Sequence, residues 1–182
     1  GQAPARQAAI HAGIPESTGA VTLNKMCGSG MKAMMQAHDS LLAGSARVIL
    51  AGGMESMTNA PFLMLDHRSG HKYGHTRGYD HMVLDGLEDA YEPGRAMGTF
   101  AENTATHYQF TRDQQDAYAI ESINRARKAV DEGWFDTEIA PVTIAHRKGE
   151  TVVERDEQPH KAKPEKIPEL RPAFAKDGTV TA

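Results

Sequence analysis

The segment Asn24-Lys25-Met26-Cys27-Gly28-Ser29-Gly30-Met31 holds the only cysteine of the chain and is the most informative part of the sequence about the fold. An apolar and partly β-branched segment, residues 20–23, precedes it and is typical of a buried strand. After it, apolar residues recur at helical spacing as far as residue 42. The pattern therefore predicts that Cys27 lies at a sharp turn from a strand into a helix.

Such a turn would favour a reactive sulfur at Cys27. The start of a helix presents free backbone N–H groups and the positive end of the helix dipole. Both stabilise the thiolate, which is the reactive form of cysteine. Gly28 and Gly30 lack side chains that would block a substrate. The alternative is a buried and inert cysteine, because free cysteines are usually core residues. The local sequence leaves both interpretations open.

Length and composition narrow the class of protein. The 182 residues suffice for one medium domain or parts of two, and 40% of them are hydrophobic. A net charge of −4 argues against nucleic-acid binding, and no apolar run approaches membrane-spanning length. One cysteine excludes an intrachain disulfide and suits a reducing compartment, so we expect a cytoplasmic protein. The chain starts with Gly1 rather than Met, and we expect it to be a piece of something longer.

The first sixty residues predict alternating helices and strands. Residues 4–12 predict a helix, with Pro4 in its first turn and Gly13 after its end. Residues 46–51 predict a second strand that ends at a tight glycine turn. A strand, a helix and a strand at this spacing predict a right-handed βαβ crossover in a parallel sheet.

The sequence after residue 60 predicts irregular structure and then helices. Residues 61–98 have no clear period. His67, His71 and His75 are spaced like a metal-binding helix face, but the glycines between them favour loop histidines instead. We expect helices over 98–109 and 111–132, a hairpin around the turn 147–150, and an extended connector over 158–172. The predicted buried stripe of the second helix is Ala117, Ile120, Ile123, Ala126 and Val130.

A dinucleotide-binding interpretation of the central turn must also be weighed. Gly28, Gly30 and Ala33 fit a G-x-G-x-x-A pattern, and Glu55 follows the next predicted strand where a ribose-binding acid belongs. This would make the protein an oxidoreductase. However, it leaves Cys27 unexplained, and the sequence after Glu55 does not continue the expected alternation of strands and helices.

Several segments carry a resemblance to a known family. Residues 24–33 resemble the nucleophile segment of the thiolases, the acetyl-CoA acetyltransferases. Further similar segments occur in the family's order along the whole chain: residues 1–7, 52–61, 97–103, 112–116, 170–174 and 177–182. The resemblance implies an α/β fold, part of the layered αβαβα thiolase fold. It places residues 1–59 in the nucleophile-bearing N-terminal domain and residues 60–182 in an inserted loop domain.

The resemblance also implies a chemistry and site residues. Thiolases transfer an acyl group between coenzyme A thioesters through a cysteine thioester. Cys27 matches the nucleophile, and its backbone N–H matches one donor of an oxyanion hole. Met97 resembles a residue of the acyl pocket, and Arg171 resembles one that contacts the nucleotide end of coenzyme A. The family implies coenzyme A thioesters as substrates, no further cofactor or metal, and a homodimer or homotetramer. Residues 62–80 lie where the family's tetramer-forming loop tends to lie.

The chain departs from the family pattern in two ways. Ala96 stands where the family often has a His. The family's activating His and its second, acid–base Cys are also absent. We therefore expect part of a thiolase that has no turnover by itself. The alternative is a non-catalytic, thiolase-like module that binds coenzyme A.

Overall fold

The computed structural model describes residues 1–182, which form two compact units, Gly1–Gly86 and Leu87–Ala182. The first unit contains helices α1 (Pro4–His11) and α2 (Ser29–Leu42) and a two-residue antiparallel pair, β1 (Phe62–Leu63) with β2 (Tyr79–Asp80). The second contains α3 (Met97–Tyr108), α4 (Arg112–Asp131), the hairpin β3 (Val142–His146) with β4 (Gly149–Val153), and α5 (Gln158–Lys161). The predicted boundary at residue 59 stays a prediction.

The predicted helices are confirmed because their signals are local. Pro4 opens α1, and Gly13 and Gly44 adopt positive φ just beyond α1 and α2. In the capping box of α4, the Thr111 hydroxyl accepts the Gln114 N–H at 3.3 Å, while the Gln114 side chain accepts the Thr111 N–H at 2.9 Å. The hairpin is also confirmed, with His146 opposite Gly149 at its turn.

The two strands predicted in the first unit are wrong. Residues 20–23 and 46–51 form no ladder, and the chain's only sheets are the two antiparallel pairs. A strand exists only beside a hydrogen-bonded neighbour, and neither segment has one here. Three of their apolar side chains are solvent-exposed: Val21 is 81%, Val48 84% and Leu50 82% exposed, while Leu23 and Ile49 are half-buried.

Two predictions in the second unit also need correction. Ile120, Ile123, Ala126 and Val130 of the predicted stripe are half-buried, but Ala117 is exposed and its neighbour Asp116 is buried instead. The connector is not extended, because residues 158–161 form α5 and Pro164–Glu169 form a 3₁₀ helix. Proline is compatible with the first turn of a helix, and both segments carry one there.

Little of the apolar surface is buried within the chain. No side chain is fully buried, and Ala105 and Ala129 are the only buried apolar residues besides two prolines, Pro159 and Pro164. The accessible surface is 15424 Å². Two compact units of about 10 kDa would expose roughly 5,000 Å² each. The chain thus exposes far more surface than two self-contained domains would.

No helix of the chain combines the length and apolar character that crossing a membrane requires.

Candidate active site

Cys27 lies in a tight turn immediately before α2. The N–H of Gly28 donates to the Lys25 carbonyl at 3.0 Å, and the N–H of Ser29 donates to the Met26 carbonyl at 3.2 Å. Met26 adopts a left-handed conformation with φ of 49°. This conformation is uncommon for a residue with a side chain and is a sign of local strain. The backbone therefore reverses direction sharply at the residue before the cysteine.

Polar side chains on both sides stabilise this turn. The Ser29 hydroxyl accepts the Lys25 N–H at 3.0 Å and donates to the Met26 carbonyl at 2.7 Å. The Asn24 side-chain oxygen accepts the Met26 N–H at 2.8 Å. These bonds occupy the backbone groups that flank Cys27, but the Cys27 N–H itself donates no hydrogen bond.

The Cys27 side chain is free, exposed and without a hydrogen-bond partner. The inert, buried cysteine is thus not what the structure contains. The thiol stands two residues before the first residue of α2, at the positive end of a 14-residue helix. An exposed thiol beside a helix start and an unused N–H has the features of a nucleophile with an oxyanion donor.

The second glycine-rich segment, Gly52-Gly53, contacts the start of α2. Gly30 and Gly53 approach so closely that a Cβ on Gly53 would lie 3.1 Å from the Gly30 Cα and 3.3 Å from its nitrogen. By contrast, a Cβ on Gly52 would meet nothing within 4 Å. The sequence predicted both turns but gave no sign that they meet.

Met97 and Arg171, the other predicted site residues, lie in the second unit. Met97 is the first residue of α3 and is 44% exposed. The Phe174 ring packs directly on Gly98, next to Met97 in the chain. Arg171 is exposed and makes no hydrogen bond or ion pair, so its guanidinium is free for a ligand.

Two arginines of α4 hold the segment that leads to Arg171. Arg112 donates to the carbonyls of Ile167 at 2.8 Å and Leu170 at 2.9 Å, and also pairs with Asp116 at 2.7 Å. Arg127 donates to the carbonyls of Pro159 at 2.7 Å and Ala162 at 2.6 Å. Neither role is predictable from the sequence, because the partners are backbone carbonyls more than 30 positions away from each arginine.

Glu102 anchors the last residues of the chain. Its carboxylate accepts the Thr179 N–H at 3.0 Å and the Val180 N–H at 2.8 Å. Gln115 adds a bond to the Thr179 hydroxyl at 2.8 Å. The motif residues around Glu102 and Gln115 therefore organise backbone in the second unit.

His67, His71 and His75 do not share the helix face that was considered from their spacing. His67 begins a single 3₁₀ turn, and its ring stacks on that of His71 with centroids 5.5 Å apart. No group of three or more His, Cys, Asp or Glu side chains is arranged to hold a metal ion.

Comparison with known proteins gives the family of the chain. The sequence model of the thiolase N-terminal domain matches residues 1–182. The chain belongs to the thiolase family. This assignment replaces the dinucleotide-binding interpretation of Gly28, Gly30 and Glu55.

Individual relatives agree with this assignment. The chain is 47% identical over 184 residues to a probable acetyl-CoA acyltransferase of Staphylococcus aureus, covering 100% of this chain and 47% of that protein. A thiolase from Ascaris suum, solved in complex with coenzyme A, is 43% identical with a TM-score of 0.87, over 100% of this chain and 46% of that one. An acetyl-CoA acetyltransferase from Bacillus anthracis is 38% identical with a TM-score of 0.90, over 99% of this chain and 45% of that one. The chain thus spans about half the length of these relatives, and the predicted α/β thiolase fold is confirmed over that half.

Proposed function

We propose that the protein containing this chain is a thiolase that transfers an acetyl or acyl group between coenzyme A thioesters. The observation that carries the proposal is the exposed Cys27 thiol at the start of α2, beside its own unused backbone N–H. Family membership over the entire chain supports the same assignment.

In the proposed reaction, the Cys27 sulfur attacks the carbonyl carbon of an acyl-CoA. The carbonyl oxygen becomes an oxyanion, to which the Cys27 N–H would donate. The C–S bond to coenzyme A then breaks, which leaves an acyl group on Cys27. A second acetyl-CoA, deprotonated at its methyl carbon, then attacks the carbonyl carbon of that acyl group. A C–C bond forms, the bond from the acyl carbon to the Cys27 sulfur breaks, and Cys27 leaves as a thiolate. In the reverse direction, a 3-oxoacyl-CoA is cleaved.

Met97 and Arg171 complete the proposed substrate contacts. Met97, at the start of α3, would line the acyl pocket. Arg171 would bind the nucleotide end of coenzyme A, since a free guanidinium suits phosphate groups. Coenzyme A thioesters are the proposed substrates, and the proposal requires no other cofactor. We also propose a cytoplasmic homodimer or homotetramer that acts in fatty acid metabolism.

The experiment that tests this proposal measures acylation of the protein expressed from its complete gene. Incubation with acetyl-CoA, followed by peptide mass spectrometry, should place an acetyl group on the peptide that contains Cys27. Cys27→Ala should abolish that adduct. Ser45→Ala is the matched control, because it removes an exposed side-chain group that makes no hydrogen bond, and it should acylate normally.

Two outcomes would contradict the proposal. An acyl adduct that persists elsewhere in Cys27→Ala would overturn the assignment of the nucleophile. A protein that binds coenzyme A but never acylates would instead be the non-catalytic module.

A further inference from the structure

The contact between Gly30 and Gly53 lies directly beside the proposed nucleophile. Gly30 is the second residue of α2, three positions after Cys27, and Gly53 follows the extended segment 46–51. A Cβ added at Gly53 would face backbone atoms of Gly30 at 3.1 and 3.3 Å, which is tighter than most real Cβ contacts. Backbone cannot rotate away as a flexible side chain can, so one of the two segments would have to move.

Little else holds the start of α2 in place. None of the 14 residues of α2 is buried, so packing of its side chains fixes its position weakly within the chain. The turn's own hydrogen bonds, through Ser29 and Asn24, shape residues 24–29 but do not tie them to another segment. The glycine contact is a place where backbone of α2, next to the nucleophile turn, meets backbone of the segment 46–53 directly.

We propose that Gly53 is a positioning residue for Cys27. Because Gly53 has no side chain, the segment 46–53 can lie against the first turn of α2. This contact fixes the position of the Cys27 sulfur and of the Cys27 N–H. The expected effect on kcat rests on the proposed thiolase function. It predicts that a displacement of a few tenths of an ångström at Gly30 is passed to Cys27. A misplacement of about 1 Å can lower a rate by about 100-fold, so we expect a loss of about tenfold from this smaller shift.

The experiment compares glycine variants of the protein expressed from its complete gene. Gly53→Ala should lower kcat for acetoacetyl-CoA thiolysis by about tenfold while the KM for the thioester stays within about twofold. It should also slow alkylation of Cys27 by iodoacetamide, a probe that needs no thiolase activity. Gly52→Ala is the matched control: the adjacent glycine has nothing within 4 Å of its Cβ position, so both rates should stay at the wild-type level.

A second variant covers the case in which Gly53→Ala does not fold. Gly30→Val approaches the contact from the helix side, where the Cβ position is 3.6 Å from the Gly53 nitrogen and the added methyl groups reach further. It should also slow alkylation of Cys27 and lower kcat.

The outcomes separate this inference from the proposed function. Wild-type kcat and alkylation rates in folded Gly53→Ala or Gly30→Val would overturn the inference, and so would an equal loss in Gly52→Ala. A KM that rises with kcat unchanged would also overturn it, since a displaced nucleophile lowers kcat. If the wild-type protein never acylates but Gly53→Ala still slows alkylation, the proposed function fails and the positioning role stands.

Discussion

At the scale of single residues, Ser29 is the side chain that ties the cysteine turn together. Its hydroxyl bridges the Lys25 N–H and the Met26 carbonyl, the residues on the near side of Cys27. Both bonds are exposed, so water can replace them, and together they contribute about 1 kcal/mol. The hydroxyl therefore acts mainly by keeping the turn in one conformation.

We expect Ser29→Ala to lower the rate of Cys27 acylation about fivefold, since 1 kcal/mol of turn stability corresponds to that factor. Stopped acylation reactions with acetyl-CoA, read by intact mass, measure the rate. Ser29→Thr keeps a hydroxyl and is the matched control, which should acylate close to the wild-type rate. Equal acylation rates in the alanine variant and the wild type would contradict this prediction, because the turn would then keep its conformation without the Ser29 hydroxyl.

At the scale of elements, α4 organises the second unit through its two arginines. Arg112 and Arg127 each hold two or more carbonyls of the segment 159–170, but only Arg112 also pairs with the buried Asp116, which is 8% exposed. Breaking a buried pair costs more than losing hydrogen bonds alone, because it leaves a charge without its partner.

We expect Arg112→Lys to destabilise the protein by about 2 kcal/mol, because lysine cannot hold both carboxylate oxygens and the carbonyls together. Arg127→Lys is the matched control, with an expected loss of about 1 kcal/mol. Denaturant unfolding of both variants measures the difference. If Arg171 binds coenzyme A, Arg112→Lys should also raise the KM for the thioester. Equal stability of the two variants would contradict the special role of Arg112.

The elements also show what sequence can and cannot predict. The capping box of Thr111 and Gln114 and the glycines after α1, α2 and α4 act within a few residues, so those helices were predictable. Residues 20–23 and 46–51 have strand-like sequences, but strands also need partners, which the sequence pattern does not supply. The Cys27 turn was predictable from Asn24 to Met31. Its contact with Gly53 was not, because the two glycines are 23 positions apart and meet only in three dimensions.

At the scale of the whole molecule, exposed apolar surface is the main feature. The chain exposes 15424 Å², and Val21, Val48 and Leu50, in the segments 20–23 and 46–51, face solvent. Thiolase relatives are about twice as long as this chain. Apolar surface of this extent destabilises an isolated chain, since burial contributes about 25 cal/mol per Å².

The 182-residue chain by itself is therefore expected to show no thiolysis of acetoacetyl-CoA. It contains one cysteine, and no side chain is hydrogen-bonded to the Cys27 thiol as a base, so the chain supplies neither a general base for the nucleophile nor a second cysteine to move the second proton. The purified chain should also bind a hydrophobic dye strongly through its exposed apolar side chains. The assay follows loss of acetoacetyl-CoA, with the protein from the complete gene as the positive control and its Cys27→Ala variant as the background. Turnover by the 182 residues at a rate comparable to the complete protein would mean that these residues carry the whole acid–base apparatus, which would contradict the expectation.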